Sequence, residues 1–329
     1  MDDCLLHDLP IKEISALSVT GSIGRQVVQD FKGHAYQIEL FLCPFMTMSQ
    51  YKTFRVLQAL TGLLISGSAA LQFLDRVRYP GTNLNLYVNQ QFNVQVHAFL
   101  VKIGYNFLSS DGNAFHKHNF KIDALAADIR ARFQQIYRRQ PCCDPAILTV
   151  FCYNNVDGMK IDVTMTLFSP FQAIVGLLNI CTMNVISYVH AISLYPKATF
   201  VDRVTCQTES YDIAVTSECI KYNERGWNSI SQMRALLCPE FQRERRVGDQ
   251  YSWVLPLRHE DFPPIALSLD MVFTHGWRYN SRPDSPCMFE WRLLNRSGSV
   301  TDIGFSGDWY VCRILNAYLQ EEDTSDETW

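Results

Sequence analysis

The sequence predicts an α/β (α+β) fold: a mixed sheet flanked by helices, with a helical region before it and a mixed region after it. Three observations carry that expectation. Strand-like and helix-like patterns alternate between about residues 63 and 103. Two strand-length runs, Ala146 to Tyr153 and Met159 to Thr166, are joined by the turn-rich Asn154-Asn155-Val156-Asp157-Gly158. A helix start, Ser169-Pro170, follows directly. With 329 residues, 47% hydrophobic and 19% charged, the chain can bury a sizeable core in one large domain or two.

Residues 1–55 read as helical. Pro10 suits a first helical turn with Asp8 as its cap, and Met46 to Leu57 carries apolar residues at helical spacing. Residues 56–225 form the expected core. Leu63-Leu64-Ile65-Ser66 is a short buried strand ending in Gly67-Ser68, and Ala69 to Val77 is a helix closed by the turn Tyr79-Pro80-Gly81. Asn83 to Val88 opens with the polar/apolar alternation of a strand with one buried face. Residues 91–103 are helical and end before Gly104, residues 121–138 are a second amphipathic helix, and the two joined strands follow. Residues 226–318 are richer in Trp, Pro and polar turns, and the tail at 319–329 is acidic and expected to be disordered.

Composition narrows the function classes. A net charge of -4 without a long basic run argues against salt-driven capture of nucleic acid. The short mixed cluster Arg243-Glu244-Arg245-Arg246 reads as a solvated helix end or turn. Eleven cysteines include no CxxC pair, so zinc ribbons and thioredoxin-like motifs are unsupported, and free buried thiols in a reducing compartment are expected. His116 and His118 read as a loop pair rather than a chelate. Met1-Asp2-Asp3-Cys4 has no secretory character. The uncharged stretch Val163 to Pro196 is long enough to span a bilayer, yet it is broken by Pro170 and studded with polar residues, so a buried core segment is expected. These features together place the protein in the cytoplasm or nucleus, without a membrane partner.

Three features in order suggest chemistry: Gly67-Ser68 at the mouth of a helix, Asn83-x-Asn85 on a strand, and Asp162 on a later strand. A Gly-Ser at a helix start lets backbone N–H groups and a hydroxyl approach a triphosphate. Carboxylates at i and i+2 on a strand share one face and can share Mg²⁺, and a third on a neighbouring strand completes a two-metal clamp for phosphoryl transfer. Each residue also has a plainer reading. Gly67-Ser68 can be a strand-to-helix turn, Asn83 and Asn85 solvent-facing strand positions, and Asp162 a sheet residue paired with Lys160. His190, in an apolar context, reads as a hydrogen-bonded core histidine.

With these residues in place, the sequence resembles the DNA polymerase β-type nucleotidyltransferase superfamily over roughly residues 50–225. It is most similar there to fungal nucleotidyltransferase-like proteins. The segments that carry the resemblance run from Phe54 to Phe73, then Leu84-Asn85-Leu86-Tyr87-Val88, Lys160-Ile161-Asp162-Val163, Met183-Asn184-Val185-Ile186 and Leu194 to Phe200. The resemblance implies that Gly67 and Ser68 cradle phosphate, that Asp162 holds the third carboxylate position, and that Mg²⁺ or Mn²⁺ and an NTP are the cofactor and substrate. An active member would transfer a nucleotidyl group to a hydroxyl of an acceptor that the sequence leaves open. The family's Asp-Leu-Asp is Asn83-Leu84-Asn85 here. Asparagine keeps an acceptor oxygen but loses the charge on which Mg²⁺ affinity depends. Several kcal/mol of lost metal stabilisation corresponds to a rate loss on the order of a thousandfold or more. The expectation is therefore a degenerate metal site at Asn83, Asn85 and Asp162. The alternatives are a catalytically inactive pseudoenzyme that binds a nucleotide or a protein partner, or an adaptor, since Leu9-Pro10-Ile11-Lys12-Glu13-Ile14 resembles the opening of an F-box.

Overall fold

The structure, a computed structural model, describes residues 6–108, 147–167, 169–177, 179–206, 213–230, 238–242, 244–257, 270–279 and 289–294. The expected helix at 121–138, the histidines at 116 and 118, Cys142 and Cys143, Arg243 and the acidic tail lie outside these residues.

Among the described residues, α1 (Ile11–Ser18), α2 (Ser22–Ala35), α3 (Ile38–Leu42) and α4 (Met48–Thr61) precede the sheet. Pro10 is the residue before α1 rather than its first turn, and no side chain caps that end. α4 is better defined. Thr47 and Gln50 form a reciprocal capping box, and Gly62, at φ 64°, closes the far end in the left-handed region where only glycine sits without strain.

Strand β1 (Leu64–Ser66) leads into α5 (Gly67–Asp75), and β2 (Leu84–Asn89) is followed by a 3₁₀ turn and α6 (Asn93–Lys102). β3 (Asn106–Leu108), β4 (Ile147–Asn154) and β5 (Lys160–Thr166) come next, then α7 (Pro170–Val175), β6 (Asn184–Ile186) and β7 (His190–Ser193). β4 and β5 are antiparallel across the Asn155–Gly158 turn, the hairpin that the sequence predicts. Ser169 caps α7 by accepting the Phe171 N–H, with Pro170 at the first turn.

Among the described residues the main sheet has eight strands, in the order β11-β7-β6-β1-β2-β5-β4-β3, where β11 is Trp253–Pro256. Only β2 and β5 run parallel within it, so the sheet is mixed. A parallel pair needs a long crossover, and the chain supplies one through α6, β3 and β4. The strand at one edge comes from beyond residue 225.

Side-chain alternation divides the core into two layers. One face, with Leu84, Leu86, Val88, Ile161, Val163 and Met165, packs against helices through residues such as Phe54, Phe99 and Leu71. The other face, with Leu64, Tyr87, Val185 and Ile192, packs on Phe171 and Ile174 of α7. Beyond α7 lies a small sheet of β10 (Arg245–Arg246), β12 (His275–Tyr279) and β13 (Phe289–Leu293). The chain between the sheets also forms β8 (Val204–Cys206), α8 (Ile213–Glu224), β9 (Asn228–Ile230) and α9 (Pro239–Gln242).

The uncharged stretch from Val163 to Pro196 is spread over β5, α7, β6 and β7 at the centre of this sandwich. No helix among the described residues is long and apolar enough to cross a membrane. The Arg243–Arg246 cluster departs from expectation at one residue. Arg245 is 2% exposed. It donates to the carbonyls of Glu240 and Leu194 and makes an ion pair with Asp249, so its charge is met inside the fold rather than by solvent. Glu240 and Asp249 are near neighbours along the chain, but the burial depends on the approach of Leu194, 51 residues away.

Candidate functional site

Sheet register brings the predicted residues together. Ser66 pairs with Asn85 across β1 and β2, Asn85 pairs with Asp162 across β2 and β5, and Asp162 pairs with Cys152 across β5 and β4. Laterally paired residues share a sheet face, so Asn85, Asp162 and Cys152 lie in one row on the α7 side. In β2 every residue but Asn85 is buried, and in β5 every residue after Asp162 is buried. The polar row therefore stands where the sheet opens to solvent.

Gly67 closes the row at the helix end. Its φ of 66° turns the chain from β1 into α5, and a Cβ placed there would meet the Asn85 side-chain oxygen at 3.5 Å. That clearance is an ordinary contact, so the left-handed backbone is what calls for glycine. Ser68 follows, half-buried, and its carbonyl accepts a hydrogen bond from Gln72. Ser66 lies on the same face, but its hydroxyl is committed to the Asn184 carbonyl on β6.

Asn83, one residue before β2, donates its side-chain N–H to Oδ2 of Asp162 at 2.7 Å. Asp162 is thus partnered by Asn83 and not by Lys160. Next to it, burial first, then the Asp162 charge and its hydrogen bond, push the Cys152 thiol up to about 11, which holds it as a neutral donor at physiological pH.

A donor set of one carboxylate and two amides does not fit Mg²⁺, which takes carboxylates and dehydrates reluctantly. Among the described residues no group of three or more His, Cys, Asp or Glu side chains is placed to hold a metal ion. The nearby acids do not fill the gap. Asp75 is engaged by the Arg203 guanidinium in a bidentate pair, both contacts 2.8 Å, and Asp157 is exposed in the β4–β5 turn. His190 stands apart on β7, where its Nδ1 lies 3.0 Å from Asp270 and its ring meets Phe273 edge-on.

A cavity of about 260 Å³ opens beside Asn83, between the α3–α4 connection, α5 and the turns that precede β2 and β5. Its walls come from short turn segments of unrelated sequence, which is why no periodic pattern betrays it. Its apolar-cationic composition, with Phe41, Phe45, Arg78 and Lys160 far apart along the chain, could be recognised only once these turns were brought together.

Compared with protein-family models, curated proteins and solved structures, the chain matches none.

Proposed function

We propose that this chain is a nucleotidyltransferase-like protein whose metal site has decayed, and that its cleft binds a nucleotide without turning it over. The observation that carries this reading is the 2.7 Å hydrogen bond from Asn83 to Asp162. In a working two-metal site the charge of such a carboxylate is met by a cation. Here an amide N–H meets it, and the second amide, Asn85, continues the row toward Gly67. The N–H groups at the start of α5 and the Ser68 hydroxyl are what remain to receive a phosphate, aided by the positive end of the helix. The cysteines among the described residues are free thiols, which fits a reducing compartment such as cytoplasm or nucleus.

The adaptor reading gains little. Ile11 and Ile14 of the F-box-like segment are buried within the chain, with Ile14 packed against Val28 and Phe31 of α2.

The test is a thermal-shift panel of NTPs, with EDTA or with Mg²⁺ or Mn²⁺, on the wild type and on Asn83→Asp/Asn85→Asp. The wild type is expected to be stabilised equally with and without metal. At a hundredfold excess over Kd the stabilisation is about 2.7 kcal/mol. The double variant is expected to gain a further, metal-dependent shift. No shift with any NTP in either protein would overturn the nucleotide reading.

A further inference from the structure

We propose that the cavity beside Asn83 is a binding site for a small organic anion with a flat apolar body, the class of an aromatic carboxylate. The walls and the charge each point there. Phe41, Phe45 and Met159 supply an apolar interior, and Tyr79 adds a fourth wall. Arg78 and Lys160 line the same space, and no acidic residue is among the described residues that do so. Among the described residues neither cation has a carboxylate partner: Arg78 donates to the Leu40 carbonyl and lies over the Phe41 ring, and both side chains are exposed at the rim. Two cations over an apolar, aromatic chamber select an anion whose remainder is hydrophobic.

The chamber is preformed. The Tyr79 ring is held under the Arg225 guanidinium at 4.3 Å and against the edge of Trp227. Its backbone N–H donates to Gln72, and its carbonyl accepts from Thr82. The Phe45 carbonyl accepts from the Tyr105 hydroxyl at 2.9 Å, which pins the opposite wall. A rigid site loses little entropy when it is filled. The volume, about 260 Å³, lies just below the usual range for drug-sized ligands of about 300–1,000 Å³. A ring with a short acidic arm fits, and a whole nucleoside triphosphate does not. The site borders the first turn of α5 through Ala69 and shares Asn83 with the polar row, and an aromatic acid tests it whether or not a nucleotide binds at that helix start.

The experiment is a calorimetric titration of the full chain with benzoate, phenylacetate and indole-3-acetate, each beside its uncharged amide. Saturable binding of at least one acid, at least tenfold tighter than its amide, is expected. Arg78→Gln/Lys160→Gln should erase that preference, and Met159→Trp, which fills the chamber, should abolish binding. Both cations are exposed, so the double variant is expected to melt with the wild type, and melting curves of all variants check folding. No saturable binding of any acid at millimolar concentration, equal binding of acid and amide, or full binding by a folded Met159→Trp would each overturn the proposal.

Discussion

Asp75 and Arg203 show how much a single pairing matters in this core. The Asp75 side chain is 2% exposed and that of Arg203 34% exposed, so the two partners do not carry equal risk. Removing the arginine strands a carboxylate away from water, whereas removing the carboxylate leaves a cation that can still reach solvent. Arg203→Ala is expected to cost about 3 kcal/mol in urea denaturation, and Asp75→Ala clearly less. Packing of Arg203 over Trp227, at 4.8 Å, adds to the cost of removing it, and equal losses in the two variants would contradict this asymmetry. The same logic separates Asp162 from Asp75. Asp162 is met by an amide at a half-open position, and its charge stays accessible to a ligand.

At the scale of elements, two buried histidines tie the packing to pH. His97 on α6 contacts the Tyr153 hydroxyl at 2.9 Å, and His275 on β12 contacts the Ser169 hydroxyl that caps α7 at 2.7 Å. Burial lowers both to about 4 from 6.5, so the folded protein holds them neutral. Between those values the unfolded chain binds protons that the folded chain does not, and stability falls as pH drops from 6.5 toward 4. Glu240 acts in the opposite sense. Burial raises it to about 7 from 4.5, so the fold retains its proton, and its contribution falls as pH rises through that window. Two histidines against one carboxyl leave a net loss on acidification, and Glu240→Gln should steepen it by on the order of 1 kcal/mol per pH unit. Urea midpoints at pH 7, 5.5 and 4.5 measure this, and a shallower acid slope in Glu240→Gln would contradict it. The elements themselves were legible where their signals are local. The Asn155–Gly158 turn, the Ser169-Pro170 cap and the alternation from Asn83 to Leu86 are written in neighbouring residues. The start of α5 was read two residues late, because Gly67 and Ser68 belong to the helix as well as to the turn. The pairing of β7 with β11, some sixty residues on, has no local signal at all.

At the scale of the molecule, a mixed sheet covered by helices on one face and by α7 with a second sheet on the other leaves one polar row open at the ends of β2 and β5. The sequence named Gly67, Ser68, Asn83, Asn85 and Asp162 by spacing, and the register of β1, β2 and β5 explains why that spacing gathers Asn83, Asn85 and Asp162 beside the start of α5. Spacing could not reveal that Asn83 turns its amide onto Asp162, since a hydrogen-bond direction depends on the tertiary approach of two strands. The cavity beside Asn83 was hidden for the same reason. The central claim, that this row has exchanged its metal for amide hydrogens, is tested most directly by titrating Mn²⁺ into the wild type and into Asn83→Asp/Asn85→Asp, with bound metal read by electron paramagnetic resonance. The account predicts no specific binding by the wild type and one or two bound ions in the double variant. Wild-type protein that binds Mn²⁺ as tightly as the variant would contradict it.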